Sequence, residues 1–332
     1  MGVYTCKQAH SHFEVLRFVR SLCAITVWSI LSAASWADDV STTAFSSALW
    51  KDDSEIVSQI DPVRPEAEEP IRRFKKQAIQ KVTASGGWLA SVSGDDLSSA
   101  HFETSIGLGV PLGSFDNILG VTPKFRVDWI DASTGLDVPT QLYDTGVQFF
   151  WRKPISDRWS FMTIVSPGVR SDFTTSDEAF RIFGLGLFNW QCRPKTLSLS
   201  FGAVYLDRAD VPLLPALGLT WTPRPTTRLD LRFPESRISH RLRKNGADNE
   251  TWAYLSGGLG GNTWAVTLQS GQTDELSLRD LRLIAGVEHI VDGGGGWFAE
   301  LGYAFDRRLE YERTSTEVSL SDGLILQAGW AY

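Results

Sequence analysis

The sequence predicts an all-β protein, specifically a closed antiparallel transmembrane β-barrel of about 14 strands, with 12 as the alternative. From residue 82 onward, short segments alternate large apolar residues with small or polar ones, and clusters of Gly, Pro, Asp and Asn separate the segments. Such alternation is typical of strands with two different faces, and no helical period runs through this region. Two further observations, the positions of the tryptophans and the lengths of the connections, favour a membrane barrel over a soluble sandwich.

The first 37 residues have the order of a secretory signal peptide. Three basic residues precede an apolar stretch over 21–34, and small residues follow at Ser35 and Ala37. This order predicts cleavage after Ala37. The apolar stretch is shorter than the roughly 20 residues that a spanning helix needs. We therefore expect an exported chain whose residues 1–37 are removed.

Composition narrows the possible partners and the means of stabilisation. Cys192 is the only cysteine outside the signal segment, so the exported fold cannot rely on an internal disulfide. The formal charge is −7, and residues 1–37 contribute +2, which leaves −9 on the mature chain. Proteins that bind nucleic acid usually carry a basic face, so no nucleic-acid partner is expected.

Residues 38–81 are predicted to be a disordered periplasmic lead or linker between the signal and the barrel domain, 82–332. They are acidic, then proline-bearing in DPVRPEAEEP, then basic in RRFKKQ, and they show no sustained period. Two interpretations of the basic stretch over 71–81 stay open, a short amphipathic helix and a solvated linker.

Within the predicted strands, the two faces differ in polarity. In RLDLRF, Leu229, Leu231 and Phe233 share one face and the charged residues between them share the other. PKFRVDWID and WFAELGYAFD alternate in a similar way, though the second is less polar on its other face. A soluble sandwich can show the same alternation, so this feature alone does not choose the architecture.

Tryptophans concentrate near the ends of the predicted strands, as in the aromatic girdles of membrane barrels. The last residue of a bacterial barrel lies on the periplasmic side, so we place Tyr332 there and count backwards. The tryptophans then expected at periplasmic ends are Trp151, Trp159, Trp190, Trp221, Trp264, Trp297 and Trp330. Trp330 and Tyr332 are also the expected assembly signal, turned toward lipid and recognised by the barrel-assembly machinery.

Connection lengths alternate in the same count, with long loops outside and short turns in the periplasm. This requires residues 226–243 to be one long strand with a bulge at Pro234. It also requires a turn at 258–261 and an outer loop at 244–250. A tight turn at Pro234 between two short strands is the alternative.

The charged face is predicted to line the lumen. Such residues can line a hydrated path for small solutes, or pair with one another and plug the interior, and both interpretations stay open. The predicted lumen-lining residues are Glu103, Arg126, Asp128, Arg228, Asp230, Arg232, Arg282, Glu288, Glu300 and Asp306.

The stretch FGAVYLDRADVPLLPALGLTWTPRPTTRLDLRFPESRISHRL resembles the signature region of a family of outer-membrane β-barrel proteins defined as a domain of unknown function. In that family a YLDRxDVPLLPxxGLxWTP segment precedes an LDLxFP segment. The likeness extends from about residue 82 to the C-terminus; it implies a barrel in the outer membrane and supplies no activity. The matching positions are Tyr205, Leu206, Asp207, Arg208, Asp210, Val211, Pro212, Pro215, Gly218, Trp221, Thr222, Pro223 and Pro234.

Part of this stretch is predicted to form a loop at the barrel rim. Asp207, Arg208 and Asp210 lie in the loop, and Pro212 would stiffen its descent into the next strand. A rigid loop packed on the rim and a ligand or gating loop are the two interpretations.

No catalytic, metal or cofactor site is predicted. Outside the signal segment the histidines are His101, His240 and His289. Ser239 and His240 are neighbours in a strand and point to opposite faces, so they cannot act as nucleophile and base. The stretches GLGLF, GGLGG and GGGG are glycines of strands and hairpin turns rather than openings to a helix, so no cofactor is expected.

We therefore expect a protein of the cell outer membrane, in contact with outer-membrane lipid, that acts as a passive channel or transport-type pore for small solutes. A non-conducting structural or surface-interaction barrel is the alternative. A membrane-embedded hydrolase ranks third, and no enzymatic activity is expected.

Overall fold

The structure is a computed structural model of the 332-residue chain. It describes residues 71–332 except 73, 74, 76, 93–95, 114–116, 134, 206–212 and 234. The predicted signal peptide and most of the predicted lead lie outside the described residues. Among the residues described, no helix combines the length and the apolar character needed to cross a membrane.

The described residues form 15 strands. They are β1 (Ile79–Ser91), β2 (Leu97–Pro111), β3 (Ile118–Ala132), β4 (Gln141–Pro154), β5 (Trp159–Ser171), β6 (Phe180–Arg193), β7 (Leu197–Tyr205), β8 (Leu213–Arg224), β9 (Thr227–Arg232), β10 (Glu235–Asn245), β11 (Asn249–Thr267), β12 (Thr273–Val291), β13 (Gly296–Tyr311), β14 (Thr316–Leu320) and β15 (Gly323–Ala331).

These strands close into one antiparallel ring. Each strand from β1 to β13 pairs with the next, and β15 pairs with both β13 and β1, so that Trp330 faces Trp297 on one side and Ala84 on the other. β14 and β15 both pair with β13 and together fill one position. The ring therefore has 14 strand positions, which confirms the predicted fold class and strand number.

The predicted long strand over 226–243 is wrong, and the alternative of a tight turn is confirmed. β9 and β10 pair with each other as a hairpin, with Leu231 opposite Ser236 and Leu229 opposite Ile238. Pro234 itself lies outside the described residues. The change of parity that suggested a bulge is instead the reversal of chain direction between two short strands.

A second error restores the strand number. The predicted turn at 258–261 does not exist, because β11 runs unbroken for 19 residues and Gly260 pairs with Asp280 of β12. The glycines of GGLGG serve a bend within a strand rather than a turn. The single strand predicted over 226–243 is two strands, β9 and β10. The two strands predicted on either side of 258–261 are one strand, β11, so the total is unchanged.

We call the end of the barrel at Tyr332 the C-terminal rim and the other end the opposite rim. The connection between β10 and β11 lies at the C-terminal rim, so the predicted outer loop at 244–250 is also wrong. The connections over 225–226, 194–196 and 292–295 at the C-terminal rim are short, whereas those over 133–140 and 172–179 at the opposite rim are longer. The tight turn between β9 and β10 departs most from this asymmetry, and the connection over 112–117 at the C-terminal rim is also longer than that over 268–272 at the opposite rim.

The outward face of the ring is apolar. Leu217 is 71% exposed, and Leu242, Leu255, Leu283 and Leu301 are also largely exposed. Such side chains alternate along the strands with buried ones, for example Ala216 beside Leu217. Exposing so many leucines to water is unfavourable, whereas an apolar surface of this kind is expected toward lipid.

Aromatic side chains ring the outer surface at both rims. At the C-terminal rim, Trp159 stacks on Trp190 with ring centroids 5.7 Å apart, and Trp297 and Trp330 face each other across a strand pair. Trp151 and Trp221 lie near the same rim. Trp88 and Trp129 are exposed near the opposite rim.

Trp264 does not belong to the girdle at the C-terminal rim. It lies near the opposite rim and is buried, because β11 continues through the glycines instead of turning back. Its predicted position is therefore wrong.

Two apolar clusters lie on the inner side. One lies on β4 to β8 and includes Phe150, Ile164, Leu185 and Val204. The other lies at the opposite rim, where residues of β2, β3 and β4 meet residues of β11 to β14. The second cluster joins strands from separate arcs of the ring, so apolar side chains fill part of that rim.

The β9–β10 hairpin makes a testable prediction about register. In a Cys192→Ser background, Leu231→Cys with Ser236→Cys places two thiols directly opposite each other, within the Cα separation of a disulfide. We expect mild oxidation to link them, measured by mass spectrometry after alkylation of free thiols.

The matched control is Leu231→Cys with Ile238→Cys, two residues out of register, which should stay reduced. A continuous strand through Pro234 would place residues 231 and 236 about 17 Å apart and leave both pairs reduced.

Candidate functional site

The charged inner face of the barrel is the candidate functional site. Charged residues spaced two apart share a face because successive side chains of a strand point to opposite sides. On several strands such neighbours are an arginine and an aspartate, and they form ion pairs within one strand.

On β3, Arg126 binds Asp128 through two hydrogen bonds of 2.6 and 2.8 Å. The same guanidinium lies 3.6 Å from the carboxylate of Glu103 on β2. All three side chains are largely buried. The arrangement places one cation between two anions on the inner face.

On the neighbouring strands, one carboxylate holds two cations. Asp144 on β4 accepts from Lys124 at 3.0 Å and lies 3.4 Å from Arg170 on β5. Its side chain is 1% exposed. The sequence prediction omitted these three residues, although Lys124 has the same parity as Arg126 and could have been found by extending that face by one step.

On β9, Asp230 lies between two arginines. Its carboxylate accepts from Arg228 at 2.6 Å and from Arg232 at 3.0 Å, and Thr220 on β8 donates to it at 2.8 Å. The Asp230 side chain is 1% exposed, as is that of Asp144. The predicted trio Arg228, Asp230 and Arg232 is therefore one buried ionic unit.

Cations of β10 reach carboxylates on neighbouring positions of the ring. Arg237 lies 2.6 Å from Glu288 of β12 and 3.5 Å above the ring of Tyr254. Tyr254 in turn donates a hydrogen bond to Glu300 of β13. These contacts connect the predicted residues Glu288 and Glu300 through a tyrosine and an arginine that the sequence prediction omitted.

On β12, Arg282 binds Asp280 through hydrogen bonds of 2.6 and 3.0 Å. This pair and the Arg126–Asp128 pair border one internal cavity, whose lining also includes Trp264 of β11. Two arginine–aspartate pairs therefore lie at one cavity, next to the apolar cluster of the opposite rim.

Asp306 does not share the inner face. A bulge in β13 places both Asp306 and Arg307 opposite Asp280, and Asp306 has a φ of +50°. The Asp306 carboxylate is therefore exposed and pairs with Arg308 at 3.3 Å. Arg307 is turned inward instead, where it donates to the backbone carbonyls of Leu97 and Ser321.

The histidines lie apart from one another. His240 is exposed and contacts Thr227, whereas its neighbour Ser239 is buried, so the two side chains point to opposite faces. His289 contacts Thr251 and stacks on Trp297, and His101 packs against Gly87. Within the described part of the chain, no group of three or more His, Cys, Asp or Glu side chains is arranged to hold a metal ion.

The end of the predicted lead that the structure describes is tied to the C-terminal rim. Arg72 hydrogen-bonds the carboxylate of Asp292 at 2.6 Å, and Lys75 lies 3.4 Å above the ring of Tyr332. The hydrogen bonds from the Arg72 side chain hold the pKa of Asp292 below its usual range. The contact is therefore expected at neutral pH and lost as the pH falls through that lowered pKa.

The predicted rim loop of Asp207, Arg208, Asp210 and Pro212 lies outside the described residues. Its two interpretations therefore remain predictions.

Comparison with known proteins gives a family match over part of the chain. Residues 133–289, just under half of the chain, match the family model described as "Domain of unknown function (DUF6268)". This range contains the YLDRADVPLLP stretch. A search of curated proteins gives no match.

Solved outer-membrane barrels align with the chain at low similarity. Omp33 of Acinetobacter baumannii is 8% identical, with 77% of this chain and 99% of that chain covered and a TM-score of 0.29. The beta domain of the Bordetella autotransporter BrkA is 12% identical, with 77% and 99% covered and a TM-score of 0.33. OmpF of Salmonella typhi is 10% identical, with 76% and 96% covered and a TM-score of 0.32. Scores this low carry no argument about function, and the barrel assignment rests on the strand pairing.

Asp230 tests whether the inner ion pairs hold the barrel together. Asp230→Asn removes the charge shared by Arg228 and Arg232 in a buried site, and breaking such a unit costs about 3–5 kcal/mol. We expect the unfolding midpoint to fall clearly, measured as the temperature at which the folded barrel loses its distinct mobility on a gel.

Asp306→Asn is the matched control. It alters the same kind of arginine–aspartate pair at an exposed position, where the loss is about 0–1 kcal/mol. Equal midpoints for both variants would contradict the buried ionic unit.

Proposed function

We propose that the protein is an integral β-barrel of the outer membrane and that its charged interior is a passive route for small polar solutes. The single observation that carries this proposal is the division of the strands into an apolar outer face and a charged inner face. The apolar outer face is suited to contact with lipid, and the charged inner face is suited to line a hydrated path.

The membrane location is supported by three features of the described chain. Strand pairing runs all the way around the ring, so the sheet closes on itself, which is the condition for a sheet to cross lipid. Exposed leucines cover the middle of the outer surface, and tryptophans lie near both rims. The expected partners are accordingly outer-membrane lipid and the barrel-assembly machinery, with Trp330 and Tyr332 as the assembly signal.

A ring of 14 strands is wider than one whose interior side chains alone can fill, which supports space for solutes. The arginine–aspartate pairs keep the inner charges close to neutral in sum, so they support passage of small solutes of either sign rather than strong selection. No cofactor takes part in this proposal.

A non-conducting barrel is the second candidate. The observation that favours it is the apolar cluster at the opposite rim, where β11 approaches β5 across the ring. The hydrolase interpretation ranks third, because Ser239 and His240 lie on opposite faces of β10.

Planar-bilayer recordings of the purified protein test the route. We expect discrete conductance steps whose frequency rises when the apolar contacts of the opposite rim are loosened. Absence of steps in every folded form, including one with the opposite rim shortened, would leave the non-conducting barrel as the function.

Leu217 tests the lipid-facing surface. Leu217→Arg places a charge in the middle of the outward face of β8, which costs roughly 2–4 kcal/mol at the centre of a bilayer. We expect much less protein in the outer-membrane fraction, measured by fractionation and immunoblotting.

Leu217→Phe keeps the position apolar and should insert like the parent. If the arginine variant inserts equally well, this face of the barrel does not contact lipid.

A further inference from the structure

The longest hairpin of the barrel loses its place beside β10 in its second half, while β12 stays paired with β13 as far as Leu276. β11 and β12 are 19 residues long and pair along their whole length, up to Thr267 opposite Thr273. β10 ends its pairing with β11 at Gly258, opposite Glu235. Beyond Gly258, β11 therefore no longer has β10 beside it. We call residues 262–273 the strap.

The strap begins directly after Gly261, whose backbone conformation no other residue adopts without strain. Gly261 has a φ of +108°, and a Cβ atom there would lie 1.9 Å from the carbonyl oxygen of Leu278. At Gly260 a Cβ atom would lie 2.0 Å from the Asp280 carboxylate. The bend is therefore set by the backbone at this point.

On the far side of the mouth the strap meets the end of β5. Ala265 pairs with Ser171 in parallel, and the amide of Asp172 donates to the carbonyl of Ala265 at 3.2 Å. The Asp172 carboxylate accepts from the amide of Thr267 at 2.9 Å. Thr174 and Thr267 share a hydrogen bond of 2.7 Å between their hydroxyls.

A second landing point lies on the connection between β3 and β4. The carboxylate of Asp137 accepts from the amide of Gln269 at 2.9 Å, and Tyr311 of β13 donates to the Asp137 carbonyl. The strap is thus held by two connections that are distant in the chain: Asp172 is 95 residues from Thr267, and Asp137 is 132 residues from Gln269.

Apolar side chains fill the space beneath the strap. Trp264 is 4% exposed and Val266 is fully buried, and both belong to the cluster that includes Leu97, Leu142 and Leu309. Leu97, Leu142 and Leu309 come from β2, β4 and β13, so the cluster fills the side of the mouth between the strap and these strands. Close apolar packing of this kind excludes water and ions from that side.

We infer that the strap is a built-in seal that closes the lumen at the opposite rim, latched by Asp172 and Asp137. The inference rests on the proposed function, because a seal matters only if the interior is a route for solutes. The charged inner face then ends beneath the strap, and passage of a solute requires the strap to leave its landing points.

The test uses the full-length protein with Cys192→Ser as the parent. Asp172→Ala removes the carboxylate that holds Thr267, and the loss of such a hydrogen bond corresponds to about a tenfold change in an equilibrium. We expect about tenfold more frequent conductance steps in planar bilayers. Asp177→Ala, an exposed aspartate of the same connection, is the matched control and should behave like the parent.

A disulfide can hold the strap in place. Thr174→Cys with Thr267→Cys, added to Asp172→Ala, places two thiols where the hydroxyls are in contact. We expect oxidation to return the conductance to the parent level and a reductant to restore the frequent steps.

The position of the strap can be read without conductance. Val266 belongs to the strap and is buried on its inner side, so a cysteine introduced as Val266→Cys is covered while the strap is closed. A membrane-impermeant maleimide should label this cysteine slowly in the parent and about tenfold faster with Asp172→Ala. If Asp172→Ala leaves the labelling rate unchanged, Asp172 does not latch the strap and the inference is overturned.

A shortened variant separates this inference from the proposed function. Replacing residues 263–277 with Asn-Gly joins Asn262 to Leu278, which are direct partners in the hairpin. If labelling accelerates in Asp172→Ala but the folded, shortened variant shows no conductance steps, the strap moves as inferred and the proposed route is wrong. Steps that are more frequent in the shortened variant than in the parent support both.

Discussion

Closure of the sheet between β1 and β15 is the constraint on which the rest of the structure depends. In lipid each unpaired backbone group costs several kcal/mol, so a spanning sheet must have no edge. Here the nine residue pairs from Thr83–Ala331 to Ser91–Gly323 join the first strand to the last. Closure at 14 positions fixes the ring, and the ring in turn sets a problem, because its interior is too wide for ordinary side chains to fill.

The chain solves this problem in two ways at different heights. In the charged part of the barrel, many side chains are neutralised within one strand or by the next, as at Asp230 and Asp144. At the opposite rim the strap reduces the width instead and allows apolar packing. Full burial of one such side chain stabilises by roughly 1.5–3 kcal/mol, so displacing several at once is rare without help. The apolar contacts therefore set how seldom the rim opens, while the Asp172 and Asp137 latches adjust that frequency.

Much of the architecture could be predicted from the sequence because it follows from a local period of two. The apolar and charged faces of β3 and β9, and the i, i+2 pairing of Arg126 with Asp128, need only that period. The strand number was correct through two errors that cancel. GGLGG and the stretch around Pro234 both contain residues that favour turns, glycine in the first and proline in the second, and only the pairing of β11 with β12 distinguishes a bent strand from a turn. Asp306 was misplaced because a bulge reverses the parity of β13 without a glycine or proline to mark it.

The strap was beyond prediction for a different reason. Its contacts join Asp172 to Thr267 and Asp137 to Gln269, and no local pattern specifies which distant loops a hairpin will meet.

The pairing of β1 with β15, which we call the seam, joins the two ends of the barrel sequence. Strand pairing between β1 and β15 brings together residues near positions 80 and 330, which is the longest separation in the sheet and entropically the most demanding contact. The described end of the lead adds contacts at this place. Arg72 binds Asp292 in the turn before β13, and Lys75 lies over the ring of Tyr332, the residue that follows β15. Each contact is modest because Arg72 is largely exposed. Together they connect the chain before β1 to the turn and the terminus beside it, so the described end of the lead adds contacts where the first and last strands meet.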